Sequence, residues 1–239
     1  MSQDNSSGST ARGSNYYKSY VGPSAKYDIV GAMQFNLATS FGLRDDHKLL
    51  DIGCGSLRSG KLMIPYLKAG NYYGVEPNEW LIEEGFNKEL GNDIREIKSP
   101  TFSNTDNFEL GVFNETFNFI IAQSIFSHAS VTQIKKCLSE VQNVLKPKGI
   151  FLATFFLGKD NYKGEEWVYP NCVKYTEEFV INLIRDSGFE TMKTESPHPN
   201  KQTWFAIYFP NNKAAAKLAE TVNGVNLSKR VKKGFFDWF

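Results

Sequence analysis

Apolar residues along this chain gather into two alternating kinds of block. Short, nearly unbroken apolar runs occur at Leu49-Leu50-Asp51-Ile52, Tyr72-Tyr73-Gly74-Val75 and Phe117-Asn118-Phe119-Ile120-Ile121-Ala122, and again over 149–156. Runs of that length without polar alternation predict strands covered on both faces. Around them, apolar residues recur at helical spacing. Ile29, Val30, Met33, Leu37 and Phe41 form one face of a helix over about 27–41. A helix from about 131 to 145 is stopped by Pro147 and Gly149, and another starts at the capping residue Thr176 and ends at Ser187-Gly188-Phe189. A further strand is expected at about 94–97, and two more near 190–194 and 203–209. The loop between these last two is too short for a parallel crossover, so they should pair as an antiparallel hairpin. The alternation of strand and helix predicts an α/β protein, a mostly parallel sheet with helices on both faces.

The first apolar run leads into Gly53-Cys54-Gly55, and a helix-forming stretch follows at once. Glycines there let the backbone turn sharply and approach a ligand, because no Cβ intervenes. Strand-loop-helix units of this kind grip cofactors at the carboxyl end of a parallel sheet. A nicotinamide or flavin fingerprint, G-x-G-x-x-G, would need a third glycine where Arg58 stands. A phosphate loop, G-x-x-x-x-G-K-[ST], finds its spacing from Gly55 to Gly60 and its lysine at Lys61, but Leu62 occupies the magnesium-binding position. Glu76, 25 residues after Asp51, ends the second apolar run, and Asn78 can cap the next helix. Its two oxygens suit a ribose diol. The alternative is a glutamate favoured only by the helix dipole.

Asp51 through Gly60 reads D-x-G-C-G-x-x-x-x-G. It resembles the first motif of the class I S-adenosylmethionine-dependent methyltransferases. The resemblance implies a Rossmann-like, seven-stranded sheet with an antiparallel last strand, and S-adenosyl-L-methionine as cofactor. It implies that Gly53, Cys54 and Gly55 wrap the methionine part, that Asp51 lies near the ammonium group, and that Glu76, followed by Pro77, holds the ribose. Asp106 or Asn107 is implied at the adenine amino group, with Phe108 stacking or anchoring the loop; turn chemistry would explain the same three residues without a ligand. Gln123 and Ser124, just after the run Phe117 to Ala122, fall where a cofactor edge or substrate could sit. The turn Leu145-Lys146-Pro147-Lys148-Gly149 resembles the family's L-K-P-G-G. Members usually carry Asp where this chain has Asn118.

Within that resemblance the chemistry is in-line methyl transfer. His128 is the candidate general base, since an imidazole of ordinary pKa about 6.5 removes protons near neutrality. A histidine that only hydrogen-bonds its loop is the alternative. The segment 158–175 should overhang the strand ends, with Trp167 and Tyr169 packing on a substrate ring or sugar face, or else closing the core. Tyr16 and Tyr17, with Tyr20, either fold over the site as a lid or belong to a loose terminus. Ala122-Gln123-Ser124-Ile125 stands where base-amino methyltransferases of nucleic acids carry [DNS]-P-P-[YFW], no cysteine is placed for attack on cytosine C5, and the core is not basic. General nucleic-acid binding is therefore not expected. A small-molecule or glycan acceptor methylated on oxygen is favoured. The alternative function is a non-catalytic methyltransferase-like protein that binds a partner through its tail.

Composition adds limits. At 239 residues with 41% hydrophobic content and net charge +1, the chain describes one ordinary soluble domain with extensions. The expected parts are a flexible N-terminal segment (1–20), the methyltransferase domain (21–211) and a basic-aromatic tail (212–239). From Lys213 onward six Lys or Arg face Glu220 and Asp237, and the end adds Phe235, Phe236, Trp238 and Phe239. Such a tail suits an anionic membrane surface, an acidic partner or a polyanionic substrate, or else packs on its own domain or a second subunit. Three cysteines without metal-type spacing suit a reducing cytoplasm, and no metal site is expected.

Overall fold

A computed structural model of the chain describes residues 13–224. In chain order it runs α1 (Tyr17–Tyr20), α2 (Tyr27–Ser40), β1 (Leu49–Ile52), α3 (Gly60–Tyr66), β2 (Tyr72–Val75), α4 (Glu79–Gly85), α5 (Asn92–Lys98), β3 (Thr101–Ser103), β4 (Phe117–Ala122), α6 (Val131–Val144), β5 (Leu145–Phe155), α7 (Glu177–Asp186), β6 (Glu190–Lys193), β7 (Thr203–Tyr208) and α8 (Lys213–Gly224). The strands form one sheet in the order β3-β2-β1-β4-β5-β7-β6. β7 alone is reversed, antiparallel to both β5 and β6. The chain moves outward from β1 through β2 to β3, then returns to place β4 on the other side of β1. That reversal of direction opens a crevice at the carboxyl ends of β1 and β4, where α/β sheets bind ligands.

Two cores cover the sheet because successive side chains point to opposite faces. Leu50, Ile52, Ile120 and Ala122 meet Ile134, Leu138 and Val141 of α6 and Val180 and Ile184 of α7. Leu49, Phe119 and Ile121 meet Leu37 of α2, Met63 and Ile64 of α3 and Ala215 and Ala219 of α8. Ser130 caps α6 through a capping box with Gln133, and Thr176 caps α7. Among the described residues no helix is long and apolar enough to cross a membrane.

Several expectations need correction. The strand placed at 94–97 is part of α5. Ile94 and Ile97 stand three apart around Arg95 and Glu96, which is helical spacing, and Ile97 is exposed. The third strand follows at Thr101–Ser103, against Tyr73, Gly74 and Val75 of β2. The expected face of α2 is buried at Val30, Leu37 and Phe41, with Met33 packed against the core, but not at Ile29. Tyr27, Val30, Gly31, Gln34, Leu37 and Ala38 are buried, whereas Ile29 is 59% exposed. Gly31 is required there, since a Cβ would come within 2.3 Å of the Arg58 carbonyl oxygen. β5 begins at Leu145, which pairs with Phe117 before a register shift carries Phe119 to Ile150.

The segment expected to be flexible packs closely over its described part, 13–20. Tyr17 is buried and donates to Oε1 of Glu89 at 2.7 Å, and Ser56 Oγ donates to the Tyr17 carbonyl at 3.1 Å. Asn212 caps α8, accepting from Ala215 N–H at 3.0 Å and donating to the Gly149 carbonyl at 3.2 Å, and Ala215 and Ala219 of this helix pack on the sheet. The basic-aromatic stretch from Lys229 lies outside the described residues.

Candidate cofactor and acceptor site

The glycine loop closes onto the end of β2. Gly53 and Gly55 adopt φ of +70° and +55°, conformations that disfavour side chains. The amides of Gly53 and Cys54 both donate to the Val75 carbonyl, at 2.8 and 3.0 Å. A Cβ on Gly53 would sit 2.1 Å from Cδ1 of Ile125, so the loop also abuts the end of β4. Cys54 contributes backbone only. Its side chain is buried toward Gly74, and burial pushes its thiol well above the usual range. Asp51 is buried and accepts from Ser59 Oγ at 2.7 Å and Tyr72 OH at 2.9 Å. Burial raises its carboxyl pKa against the lowering effect of those two bonds and of Arg58. Asp51 does not reach the main cavity. It borders a small void of about 20 Å³ with Arg58, Ser59 and Gln123.

The main cavity measures about 450 Å³ and lies at the crevice between β1, β2 and β4. Gly53, Gly55, Glu76 and Pro77 form one wall. Glu76 is 6% exposed and accepts three hydrogen bonds, from Gly55 N–H at 3.1 Å on Oε2 and from Asn78 N–H and Nδ2 at 2.9 Å on Oε1. A carboxylate offers about four acceptor sites. One remains on Oε2. Burial raises the Glu76 pKa, the Asn78 and Gly55 bonds lower it, and the net shift is upward. Asn104 Nδ2, which sequence reasoning passed over, donates to the Glu76 carbonyl at 2.8 Å and fixes the strand end.

Thr105, Asp106 and Phe108 form the next part of the wall, Phe108 at φ +60°. Asn107 is not part of it. Its side chain accepts from Thr105 Oγ1 at 2.6 Å and donates to Glu109 at 2.9 Å, which is turn chemistry.

Beyond β4 the wall is formed by Gln123, Ser124 and His128. Ser124 stands at φ +63° with its amide donating to Thr154 Oγ1 at 2.8 Å. His128 is 3% exposed, and Nδ1 donates to the Asn171 carbonyl. A carbonyl only accepts, so this bond places the neutral ring's lone pair on Nε2. The His128 ring lies 5.0 Å from Tyr169 and 5.6 Å from Trp167, and both of these also face the cavity. Tyr20 and Val21 close it from the N-terminal side. Tyr16 and Tyr17 do not line it: Tyr17 packs edge-on against Tyr16 and Tyr27, away from the opening.

Two polar residues that sequence reasoning missed back this wall. His198 Nε2 lies 3.1 Å from the Gln123 amide, and Gln202 Nε2 donates to Ser124 Oγ. Arg58 donates to Gln123 Oε1 and, at 2.8 Å, to the Val21 carbonyl. Burial, with Arg58 and Lys26 nearby, pushes the His198 pKa down to about 4, so the ring is neutral at physiological pH. His198 and Gln202 lie between β6 and β7. Because β7 is reversed, that loop lies at the carboxyl edge of the parallel strands, beside Thr154 and Phe155. The expected hairpin was the available signal.

A sheet of this order with one reversed strand, and a glycine loop hydrogen-bonded to an acidic strand end, give the chain the fold of solved S-adenosylmethionine-dependent methyltransferases. Residues 50–151 match a family described as methyltransferase domain. The sterol 24-C-methyltransferase ERG6A of Gibberella zeae is 25% identical over 198 residues, covering 75% of this chain and 49% of its own length. The sterol 24-C-methyltransferase erg6 of Aspergillus fumigatus is 22% identical over 205 residues, 75% of this chain and 50% of its own. The chain thus spans about half the length of these curated relatives. Among solved structures, the glycopeptide N-methyltransferase MtfA with S-adenosyl-L-homocysteine superposes with TM-score 0.57 at 13% identity, covering 77% of this chain and 90% of that one. Magnesium protoporphyrin IX methyltransferase from Synechocystis PCC 6803 gives TM-score 0.56 at 14% identity, 77% of this chain and 86% of that one.

Proposed function

We propose that this protein binds S-adenosyl-L-methionine in the main cavity and transfers its methyl group to a hydroxyl of a small-molecule or glycan acceptor. The observation that carries this reading is the junction of the glycine loop with Glu76 in a cavity that also contains His128. When bound, the cofactor supplies a methyl group on a positively charged sulfur, already activated for displacement. The Gly53–Gly55 backbone accommodates the methionine part at a point where side chains would collide. Glu76 accepts from the ribose. Thr105, Asp106 and Phe108 flank the adenine. His128 Nε2 takes the proton from the acceptor hydroxyl as the methyl group arrives. Tyr20, Trp167 and Tyr169 hold the acceptor against the cavity and keep water from it.

Relatives and structural neighbours include enzymes named for sterol, glycopeptide and porphyrin acceptors, so their names support a small-molecule acceptor without choosing one. The test is calorimetry of the purified chain with S-adenosylmethionine and S-adenosylhomocysteine, followed by transfer of a labelled methyl group to a broad panel of hydroxyl acceptors. Binding and product formation are expected. Failure to bind either nucleoside would overturn the reading. Binding without product across the panel would leave a cofactor-binding protein without turnover.

A further inference from the structure

The cavity mouth carries an unbroken series of five rings. Trp80 lies edge-on to Tyr20 at 5.3 Å, Tyr20 meets Tyr169 at 5.4 Å, Tyr169 meets His128 at 5.0 Å, and His128 meets Trp167 at 5.6 Å. These rings come from four separate parts of the chain: the segment before α2, the start of α4, the loop after β4 and the loop after β5. The series is held rigid where two of those parts meet, because Tyr169 OH donates to the Tyr20 carbonyl. Both ends are open. Trp80 is 37% exposed and Trp167 is 42% exposed.

The polar groups beside the rings are mostly neutral. Asn78, Thr105, Gln123, Ser124 and Gln133 bring amides and hydroxyls to the cavity. Arg58 is the single Lys or Arg among its described lining residues, and its guanidinium is already engaged by Val21 and Gln123. A phosphorylated acceptor would call for a cationic clamp. A large flat apolar acceptor would call for an enclosed greasy slot, and here the row of rings runs out into solvent at both ends. Ring faces alternating with neutral hydrogen-bonding groups match a molecule that is itself two-sided, with an apolar C–H face and an edge of hydroxyls. A pyranose has that character. Four ring-to-ring steps exceed what one sugar ring covers.

We infer that the acceptor is a saccharide of more than one ring, lying along the Trp80-Tyr20-Tyr169-His128-Trp167 series with its reactive hydroxyl at His128. This rests on the methyltransferase reading and specifies its substrate class. The unit at His128 packs on Trp167, and further units extend over Tyr20 toward Trp80. Trp80 does not line the cofactor cavity, so it reports on chain length alone.

The test uses the full chain saturated with S-adenosylhomocysteine and saturation-transfer NMR. The probes are maltotetraose, cellotetraose and N-acetylchitotetraose, their monosaccharides, and a planar phenol. At least one tetrasaccharide should bind more tightly than its monosaccharide, with saturation concentrated on ring C–H protons. Trp167→Ala should weaken both lengths, and Trp80→Ala should weaken only the tetrasaccharide, by about fivefold. Nucleoside affinity of Trp80→Ala should stay within about twofold of wild type, which shows that the variant is folded. Nucleoside binding with no saccharide signal, a signal from the phenol alone, or a tetrasaccharide preference that survives Trp80→Ala would each overturn the inference. Loss of nucleoside binding in the wild-type chain would instead overturn the methyltransferase reading beneath it.

Discussion

The amide of Gly55 donates to Oε2 of Glu76 at 3.1 Å, across 21 residues of sequence. One residue belongs to the loop after β1 and the other to the end of β2. The bond therefore sets the distance between the two groups that we propose hold the two ends of an amino-acid nucleoside. Replacing Glu76 with Ala removes this bond and the ribose acceptor together. Affinity for S-adenosylhomocysteine should fall about 10- to 100-fold, as expected for a hydrogen bond to a charged group, and calorimetry measures it.

Glu76 also predicts a pH response. Its pKa is raised, chiefly by burial. Cofactor binding needs the ionised form, so affinity should decline as pH falls through a midpoint above the ordinary glutamate value. The contribution of Glu76 to unliganded stability has the opposite sign. A raised folded-state pKa gives stability that is present in acid and lost as pH rises through it. Asp51, buried nearby with a raised pKa, adds in the same direction to the stability term. Titrating nucleoside affinity from about pH 4 to 7 should show the decline in wild type and a flat, weaker profile in Glu76→Gln; parallel curves would contradict it.

Gly53→Ala should be costly without touching any charge. Placing a side chain at φ +70° costs about 1–2 kcal/mol, and the new Cβ would collide with Ile125. Thermal denaturation should show a midpoint lower by roughly 5–15 °C for a domain of this size.

His128→Ala separates base catalysis from support of the loop. A general base accounts for about 10²- to 10⁴-fold in rate, so kcat should fall in that range while nucleoside affinity is retained. Unchanged turnover in a folded variant would assign His128 to the loop held through Asn171.

The N-terminal segment is fastened by Glu89. This carboxylate meets Tyr17 at 2.7 Å, Lys18 at 2.8 Å and Lys61 at 2.7 Å. Burial pushes its pKa up, but the Lys18, Lys61 and Tyr17 hydrogen bonds outweigh that and the net shift is downward. A lowered pKa gives stability that is present at neutral pH and lost as pH falls through it. Limited trypsin digestion should cut after Lys18 and Lys26 at least about fivefold faster in Glu89→Ala than in wild type. Equal rates would place the fastening elsewhere, for instance in the Tyr27–Ser56 bond at 2.7 Å.

What could be read from the chain follows from how local each signal is. β1, β2 and β4 are continuous apolar runs, and the glycine loop and Glu76 follow them directly, so motif and spacing suffice. α6 and α7 carry their own caps. β3 was misplaced because three residues carry no periodicity, while Ile94 and Ile97 offered a stronger apolar signal that belonged to a helix. Arg58 was noted only as a missing glycine, yet its guanidinium joins Val21 to Gln123. Tyr20 and Trp80 are distant in sequence and meet only once the segment before α2 packs over α4.

The reversed direction of β7 has a consequence for how such a protein can change over time. In a wholly parallel sheet, the turn entering the last strand would sit on the far rim, remote from any ligand. Here it delivers His198 and Gln202 behind Gln123 and Ser124. Insertions or substitutions in that turn can remould that side of the cavity while the glycine loop and Glu76 stay untouched. One side of the cavity is thereby shaped by a turn, and the other by the glycine loop and Glu76.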